Sequence, residues 1–396
     1  MKNIYLDYAA STPLDPDVIA AMQSHFTDVI GNASSVHRFG QKLKNTIEES
    51  RAIIAQSINA HPSEIVFVYG GTEADNFALI GMMKYLRAKN KTHIITSQIE
   101  HHAVLETCEY LANNGFTISY CSPEKDGIVT LASVQQLLRK ETGLISIMHV
   151  NNELGTINPI EDIGKFAKLN NIIFHTDAVQ SFGKCPIDVN IMNVDLLSAS
   201  AHKIYGPKGI GFLFIRRGVD IEPIIHGGGQ ERGRRAGTES VPHIVGFAKA
   251  IQKMVQNYSS EFERNTFLKN LLVSKLKESI TNYFLDTSLI LNGNQKKSIP
   301  NILNISFDTS LFEIDGEMLV LNLDIAGIAV ANGSACSSGS IEPSHVLLAL
   351  GRDKKTAKAS MRFSFGRWTT DEEIEYAVLT VQKILNRIAV KKERHE

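Results

Sequence analysis

The sequence predicts an α/β protein. A large domain built on a mostly parallel sheet flanked by helices is expected to join a smaller α/β C-terminal domain. Three observations carry this expectation. Between about residues 64 and 216, short apolar runs alternate with segments of helical periodicity. After Pro242 an apolar repeat at helical spacing continues toward Tyr283. Further strand-like runs then follow, separated by helical segments. Alternating strands and helices bury both faces of a parallel sheet, and ligands then bind at the carboxyl ends of its strands.

The first predicted strand, 64–69, ends at Gly70-Gly71-Thr72, and the helix behind it carries Ala74, Phe77, Ala78, Ile80 and Met83 on one face. Strands follow at 93–96, 116–120, 144–150, 172–175, 196–199 and 210–215. Patterned helices lie between several of them, such as 160–169, introduced by Pro159. The long helix after Pro242 offers Phe247, Ile251, Met254, Phe262, Phe267 and Leu271 as core residues. The second domain is expected to hold strands at 302–307, 328–331 and 361–364, with helices near 316–323 and 371–386. The large domain is placed at 15–260, and the small one at 1–14 with 261–396. The small domain carries the loop 333–340, whose residues are Gly, Ser, Ala and Cys336. No internal repeat or low-complexity tract is present.

The chain has 396 residues, 43% hydrophobic and 21% charged, with a net charge of −1. That is the composition of a soluble globular protein, long enough to bury a deep cleft without disulfides or metals. Charge near zero points to neither nucleic acid nor an anionic membrane as a bulk partner. The local basic patch of Arg232, Arg234 and Arg235 suits a small anionic ligand instead. Cys108, Cys121, Cys185 and Cys336 are scattered, without CxxC or metal-finger spacing, the pattern of reduced thiols. Residues 1–7 lack the apolar run of a signal peptide, and no apolar stretch approaches the ~20 residues of a membrane span. A cytoplasmic protein is the expectation.

Lys203 closes the strand expected at 196–199, in Ser198-Ala199-Ser200-Ala201-His202-Lys203. A lysine there points into a cleft, where burial or neighbouring cations lower its pKa and let it form a Schiff base with an aldehyde cofactor. A surface lysine in a turn is the other reading, and the motif alone does not separate the two. Asp177 follows the strand expected at 172–175. A carboxylate in that place can keep a pyridinium nitrogen protonated; helix capping and magnesium binding are the alternatives. Against magnesium, no second carboxylate or phosphate-loop lysine accompanies it.

Gly70-Gly71-Thr72-Glu73 opens a helix directly after a strand, where free N–H groups bind phosphate and glycines let the anion approach. Ser200 and His202 could complete that cup. Thr72-Glu73 serves equally as a helix cap, and no GxxxxGK[ST] or convincing GxGxxG pattern is present. His101, in Ile99-Glu100-His101-His102, can stack on a cofactor ring and shuttle protons. Adjacent histidines rarely chelate one ion, so no metal is expected. Cys108 and Cys185 read as buried small hydrophobes. Cys336 differs, because its small, polar neighbours suit an exposed, mobile nucleophile. A plain Gly/Ser loop that happens to contain a cysteine is the competing reading.

Taken together, these segments resemble the cysteine desulfurases of the class V aminotransferase group, in particular the NifS/IscS type. The matching motifs begin with Tyr5-Leu6-Asp7-Tyr8-Ala9-Ala10, Gly71-Thr72-Glu73-Ala74-Asp75-Asn76, Glu100-His101 and His149-Val150-Asn151-Asn152-Glu153. His175-Thr176-Asp177-Ala178-Val179-Gln180 and His202-Lys203-Ile204-Tyr205-Gly206-Pro207-Lys208-Gly209 follow. The last are Gly227-Gly228-Gly229-Gln230-Glu231, Arg235-Ala236-Gly237-Thr238, Gly333-Ser334-Ala335-Cys336 and Arg362-Phe363-Ser364. They occur in family order and cover nearly the whole chain.

The resemblance implies the type I pyridoxal-phosphate-enzyme fold and pyridoxal 5'-phosphate as cofactor. It implies Lys203 as the Schiff-base lysine, Asp177 against the ring nitrogen, Gln180 on the ring hydroxyl and His101 stacked on the ring. Gly71, Thr72, Ser200 and His202 would hold the phosphate. Thr238 would reach the phosphate of the partner subunit's site, so a homodimer is implied. Asn152 and Arg362 would grip the carboxylate of the substrate, L-cysteine. Lys203 or His101 would remove the Cα proton, and the Cys336 thiolate would take the sulfur as a persulfide while alanine leaves.

The segment 337–350 resembles the longer loop of the group that delivers sulfur to acceptors such as iron–sulfur scaffold proteins. Asn332 stands where serine is usual and Ala201 where glycine often is, and the tail 391–396 lacks the family's partner-docking ending. A selenocysteine lyase or aminotransferase on the same fold, or an idle sulfur-relay protein, are the rival expectations. Transamination needs no thiol, and an idle relay should lack one of Lys203, Asp177 or Cys336.

Overall fold

Seven strands form the central sheet, in the order Ile65–Val68, Gly211–Ile215, Leu196–Ser200, Ile173–Asp177, Thr142–Ser146, His93–Ser97, Thr117–Cys121. The computed structural model describes residues 3–281, 289–310, 312–332, 342–388 and 390–391. The strand Gly211–Ile215 runs antiparallel to both of its neighbours, and the other pairings are parallel. Four of the inner strands are buried at every position, and Ile173–Asp177 at all but Ile173. This is why the sequence shows them as continuous apolar runs rather than alternating ones.

Successive side chains of these strands divide between two cores. Ile145, Phe174, Phe212 and Phe214 face the helices Arg38–Ser57, Ile160–Leu169 and the first half of Val241–Thr281. Leu144, Leu196 and Leu213 face the helices Gly71–Ile80 and His102–Asn113 through Phe77, Val104 and Leu111. Helices on both faces, with the mostly parallel sheet between them, make the α/β architecture the sequence predicts.

A separate, smaller antiparallel sheet has the order Ser360–Ser364, Ile302–Phe307, Leu289–Asn292. Leu303, Ile305, Met361 and Phe363 pack there against the helices Gly316–Ile325 and Asp371–Ile388 and the second half of Val241–Thr281. The N-terminal segment crosses between the two sheets. Ile4–Tyr5 pairs in parallel with Ile328–Ala329, Asp7 bridges to Ser364, and the Thr12 and Asp15 amides donate to the carbonyls of His202 and Tyr205.

Several boundaries differ from expectation. The strand expected at 144–150 ends at Ser146, and beyond it the Ile147 and His149 amides still donate to His175 and Asp177 without a regular ladder. The strand expected at 172–175 runs to Asp177, which is therefore its last residue. Phe262 and Phe267, expected in the core, are 44% and 49% exposed. The buried apolar residues described in that half are Leu268, Leu272 and Leu276. One 41-residue helix, Val241–Thr281, packs first on Pro16–Thr27 and Arg38–Ser57 and then on Asp371–Ile388. Its apolar stripe therefore steps around the axis where the neighbours change.

Candidate active site

A cleft of about 470 Å³ opens at the carboxyl ends of the central strands. Gly71, Thr72, His101, Asn152, Asp177, Gln180, His202, Lys203 and Arg362 all line it. Ser200, the last residue of its strand, is buried, and its Oγ is the nearest atom, at 3.8 Å, to a Cβ built on Gly70. Thr238 is exposed on the segment after Gly233 and does not contribute to this cleft. Cys336 lies outside the described residues.

Lys203 sits in the single turn Ala201–Lys203 that follows the strand Leu196–Ser200. Its Nζ donates to the carbonyls of Ala9 at 2.5 Å and Ala10 at 2.9 Å. Burial, then the cations of Lys184 and Arg362, lower its pKa to about 7, with Asp177 and Asp7 opposing. A substantial fraction of the amine is thus neutral and nucleophilic near neutral pH.

Across the cleft, Asp177 Oδ1 accepts from the Val179 amide at 2.8 Å. Burial pushes this carboxyl up to about 6, while the amide and Lys203 pull it down. Beside it lies Asp75, fully buried, whose Oδ1 has no hydrogen-bond partner. Burial and the Asp177 charge hold Asp75 well above the usual carboxylate range. His175, on the same strand as Asp177, places Nε2 3.6 Å from Asp75 Oδ1. It pairs with Ser146 and Ser198 at 2.8 and 3.1 Å, and burial keeps it neutral by lowering its pKa to about 3.

The helix Gly71–Ile80 begins without a side-chain cap, leaving its first amides available to an anion. A Cβ on Gly71 would come within 2.7 Å of Val179 Cγ2, so this approach of helix to turn requires glycine. Glu73, expected as part of a helix cap, is engaged elsewhere. It accepts from the Tyr69 amide and takes two bonds from Arg235, at 2.8 and 3.1 Å. Arg232 pairs with Glu48, and Arg234 donates to the Ser63 carbonyl. The basic patch expected to serve an anion is thus engaged within the chain.

His101 caps the helix His102–Asn113, its Nδ1 accepting from the Ala103 amide at 3.1 Å. Desolvation, then Lys203 and His102, lower it to about 4. In the tautomer this hydrogen bond selects, the proton of the neutral ring is on Nε2, so that atom donates. Arg362 Nη1 donates to the Asn152 carbonyl at 2.9 Å and Nη2 to Asp7 Oδ1 at 2.8 Å, while its buried Nε has no partner. The remaining cysteines make poor nucleophiles: burial pushes Cys108, Cys121 and Cys185 each up to about 12. Among the described residues, no three His, Cys, Asp or Glu side chains are grouped to hold a metal ion.

Sequence reasoning gave no role to Asp75, Glu100 or Glu153. Asp75 had one available signal, its place one helical turn after Gly71. Glu100 Oε1 accepts from Ser97 Oγ and the Met148 amide, and burial raises its pKa to about 8. Glu153 accepts from Ser344 Oγ at 2.5 Å and is raised to about 7 by burial. The Ser97 bond to Glu100 is local, but the bonds from Met148 and Ser344 join distant segments, which no local pattern announces.

Residues 4–377 match the family model described as "Aminotransferase class-V". The chain is 45% identical over 387 residues to a protein named "Cysteine desulfurase IscS" from Dictyoglomus turgidum, covering 98% of this chain and 95% of that one. It is likewise 45% identical over 390 residues to the protein of the same name from Pectobacterium carotovorum, covering 97% and 93%. Among solved structures, a "NIFS-LIKE PROTEIN" superposes with a TM-score of 0.88 at 36% identity, covering 98% of this chain and 100% of that one. Another, "SspA in complex with cysteine", gives a TM-score of 0.80 at 39% identity, covering 93% and 100%.

Proposed function

The chain belongs to the class-V aminotransferase family, and within it we propose that the protein is a pyridoxal-phosphate-dependent cysteine desulfurase. It converts L-cysteine to L-alanine and moves the sulfur to Cys336 as a persulfide. The sulfur then passes to iron–sulfur cluster assembly, through a scaffold protein, or to another acceptor. The observation that carries this reading is the Lys203 amine, held at a strand end with a lowered pKa in one cleft with Asp177 and an uncapped helix N-terminus. Relatives of nearly the same length, 43–45% identical to this chain, are named cysteine desulfurases.

The residues present fit pyridoxal 5'-phosphate, which when bound supplies an electron sink for loss of a Cα proton. Lys203 is the residue that would hold it, and Asp177 would sit against the ring nitrogen, where a cation returns its carboxyl to the charged form. Gln180 would take the ring hydroxyl, and His101 would stack on the ring. The amides of Gly71 and Thr72, with Ser200 and His202, would hold the phosphate. Asn152 and Arg362 would seat the substrate carboxylate, Arg362 through its unpaired Nε.

Of the two candidate bases, Lys203 fits Cα proton removal better. His101 Nδ1 is engaged by the Ala103 amide, leaving a donor at Nε2. In the sulfur step, the Cys336 thiol and cysteine give the Cys336 persulfide and alanine, with no external oxidant or reductant. Thr238, exposed and away from its own cleft, would serve the other subunit of a homodimer. The cleft lies between a large unit at 15–260 and a small one at 1–14 with 261–396 that carries the Cys336 loop. A cytoplasmic location accompanies this reading; no described helix is long and apolar enough to cross a membrane.

The test is a paired assay of wild type and Cys336→Ala. Visible absorbance is recorded first, then sulfide and alanine released from cysteine in the presence of a thiol reductant. A cofactor band in both proteins, with equal sulfide and alanine from wild type only, is expected. A band without thiol-dependent sulfide would return the reaction to transamination or selenocysteine cleavage. No band after adding pyridoxal phosphate would overturn the Lys203 assignment.

A further inference from the structure

Behind Lys203 lies a second lysine that the proposed reaction leaves unused. After the strand Ile173–Asp177 the chain turns through Gln180 and Gly183, which has φ +79°. A Cβ there would come within 2.6 Å of both Ile204 Cγ2 and Met254 Sδ, so the turn admits only glycine without rearrangement. The turn returns Lys184 beneath Gln180, and its Nζ donates to Gln180 Oε1 at 3.2 Å. On the other side, Gln180 Nε2 donates to the Ala9 carbonyl at 2.7 Å, the same oxygen that accepts from Lys203 Nζ. Ala9 is itself fixed, its amide donating to Ser364 Oγ at 2.8 Å.

An ammonium only donates and a carbonyl only accepts, so this arrangement permits one orientation of the buried Gln180 carboxamide. Its oxygen faces Lys184 and its nitrogen faces Ala9, leaving the second Nε2 hydrogen for a ligand in the cleft that Gln180 lines. We propose that Lys184 is a positioning residue: it holds the Gln180 carboxamide with its donor toward the cofactor end of the cleft, and through Ala9 it fixes the place of Lys203. The inference rests on the reading of Gln180 and Lys203 as cofactor residues.

Charge supports the geometry. Lys184 is the leading cationic neighbour that lowers Lys203, followed by Arg362, with Asp177 and Asp7 opposing. Lys184 itself faces Cys185, Glu261 and Arg362, and burial brings it to about 8. Removing Lys184 withdraws a positive charge from beside Lys203 and frees the carboxamide to turn. Both changes favour the protonated form of the group that Lys203 makes with the cofactor.

The test uses the intact protein loaded with pyridoxal phosphate, and reads the pH midpoint at which its visible band changes. Lys184→Met is expected to raise that midpoint by roughly one unit, the effect of a nearby charge, and Lys184→Arg to restore most of it. In a Gln180→Leu background the shift from Lys184→Met is expected to fall to half or less. Lys184→Gln replaces Lys184→Met should the latter not fold. A normal band with an unmoved midpoint would overturn the role of Lys184 while leaving the cofactor reading intact. An equal shift in both backgrounds would reduce Lys184 to a distant charge and overturn the positioning through Gln180. Absence of any band in the wild type would overturn both readings together.

Discussion

Arg362, on the strand Ser360–Ser364, places Nη2 at 2.8 Å from the Asp7 carboxylate, a residue 355 positions earlier in the chain. The pair is largely buried, with side chains 8% and 21% exposed. A carboxylate thus already occupies part of the guanidinium that the proposed substrate needs. Asp7→Asn is expected to lower KM for cysteine roughly three- to tenfold, the effect of about 1 kcal/mol of relieved competition. Steady-state kinetics checks this, and a raised KM would instead make Asp7 the group that aims Arg362.

Lys203 gives a stability signature with a definite sign. Its pKa falls from 10.5 to about 7 on folding, so between those values the unfolded chain binds more protons. Folding stability from this group therefore rises with pH across that window, by at most about 1.4 kcal/mol per unit. Below pH 7 both states are protonated and the penalty of the buried charge is present in full. Lys203→Met removes the titration. In thermal melts of cofactor-free protein at pH 7, 8, 9 and 10, the stability of the variant relative to wild type is expected to decline steadily. A constant difference would mean only that the bonds to Ala9 and Ala10 are lost.

The loop that carries Arg235 and Thr238 depends on a buried ion pair. Arg51 Nη1 and Nη2 donate to Glu231 Oε2 and Oε1 at 2.7 and 2.8 Å, and Glu231 also accepts from the Phe67 amide. Glu231 and Arg232 both hold positive φ, 48° and 59°, which side-chain-bearing residues seldom adopt. Arg51→Met is expected to cost about 3–5 kcal/mol, because it strands a carboxylate in the interior. Chemical denaturation checks this, with Arg51→Met/Glu231→Leu recovering much of the loss.

Much of the fold and of the cleft was legible because the signals were local. The helix Ile160–Leu169, introduced by Pro159, and the strand Ile302–Phe307 have their predicted boundaries. Asp177 and Lys203 were legible as charges at the carboxyl ends of expected strands, while their roles came only with the resemblance. Phe262 and Phe267 were misplaced because a helix's buried stripe is set by what it packs against, and this helix has different neighbours along its length. The roles of Lys184 and Glu153 were illegible for a related reason. Lys184 bonds Gln180 four residues away, but that bond gains meaning only because Gln180 and Lys203 share the distant Ala9 carbonyl; Glu153 gains its role from Ser344, 191 residues away.

The crossing of the first fifteen residues between the two sheets has a consequence for how the protein is made. Ala9 and Ala10, whose carbonyls hold Lys203, leave the ribosome early, Ala9 being 355 residues ahead of Ser364. The residues that fix them in place, Ile328–Ala329 and Ser364, leave among the last. Such long sequence separations are slow to close. The central sheet can form while synthesis continues, with Thr12 and Asp15 bonding His202 and Tyr205, but the pairing of Ile4–Tyr5 and the anchoring of Ala9 must wait for Ile328–Ala329 and Ser364. The cleft is then the final part of the molecule to be completed, and a nascent chain has the architecture of the enzyme well before it has the site.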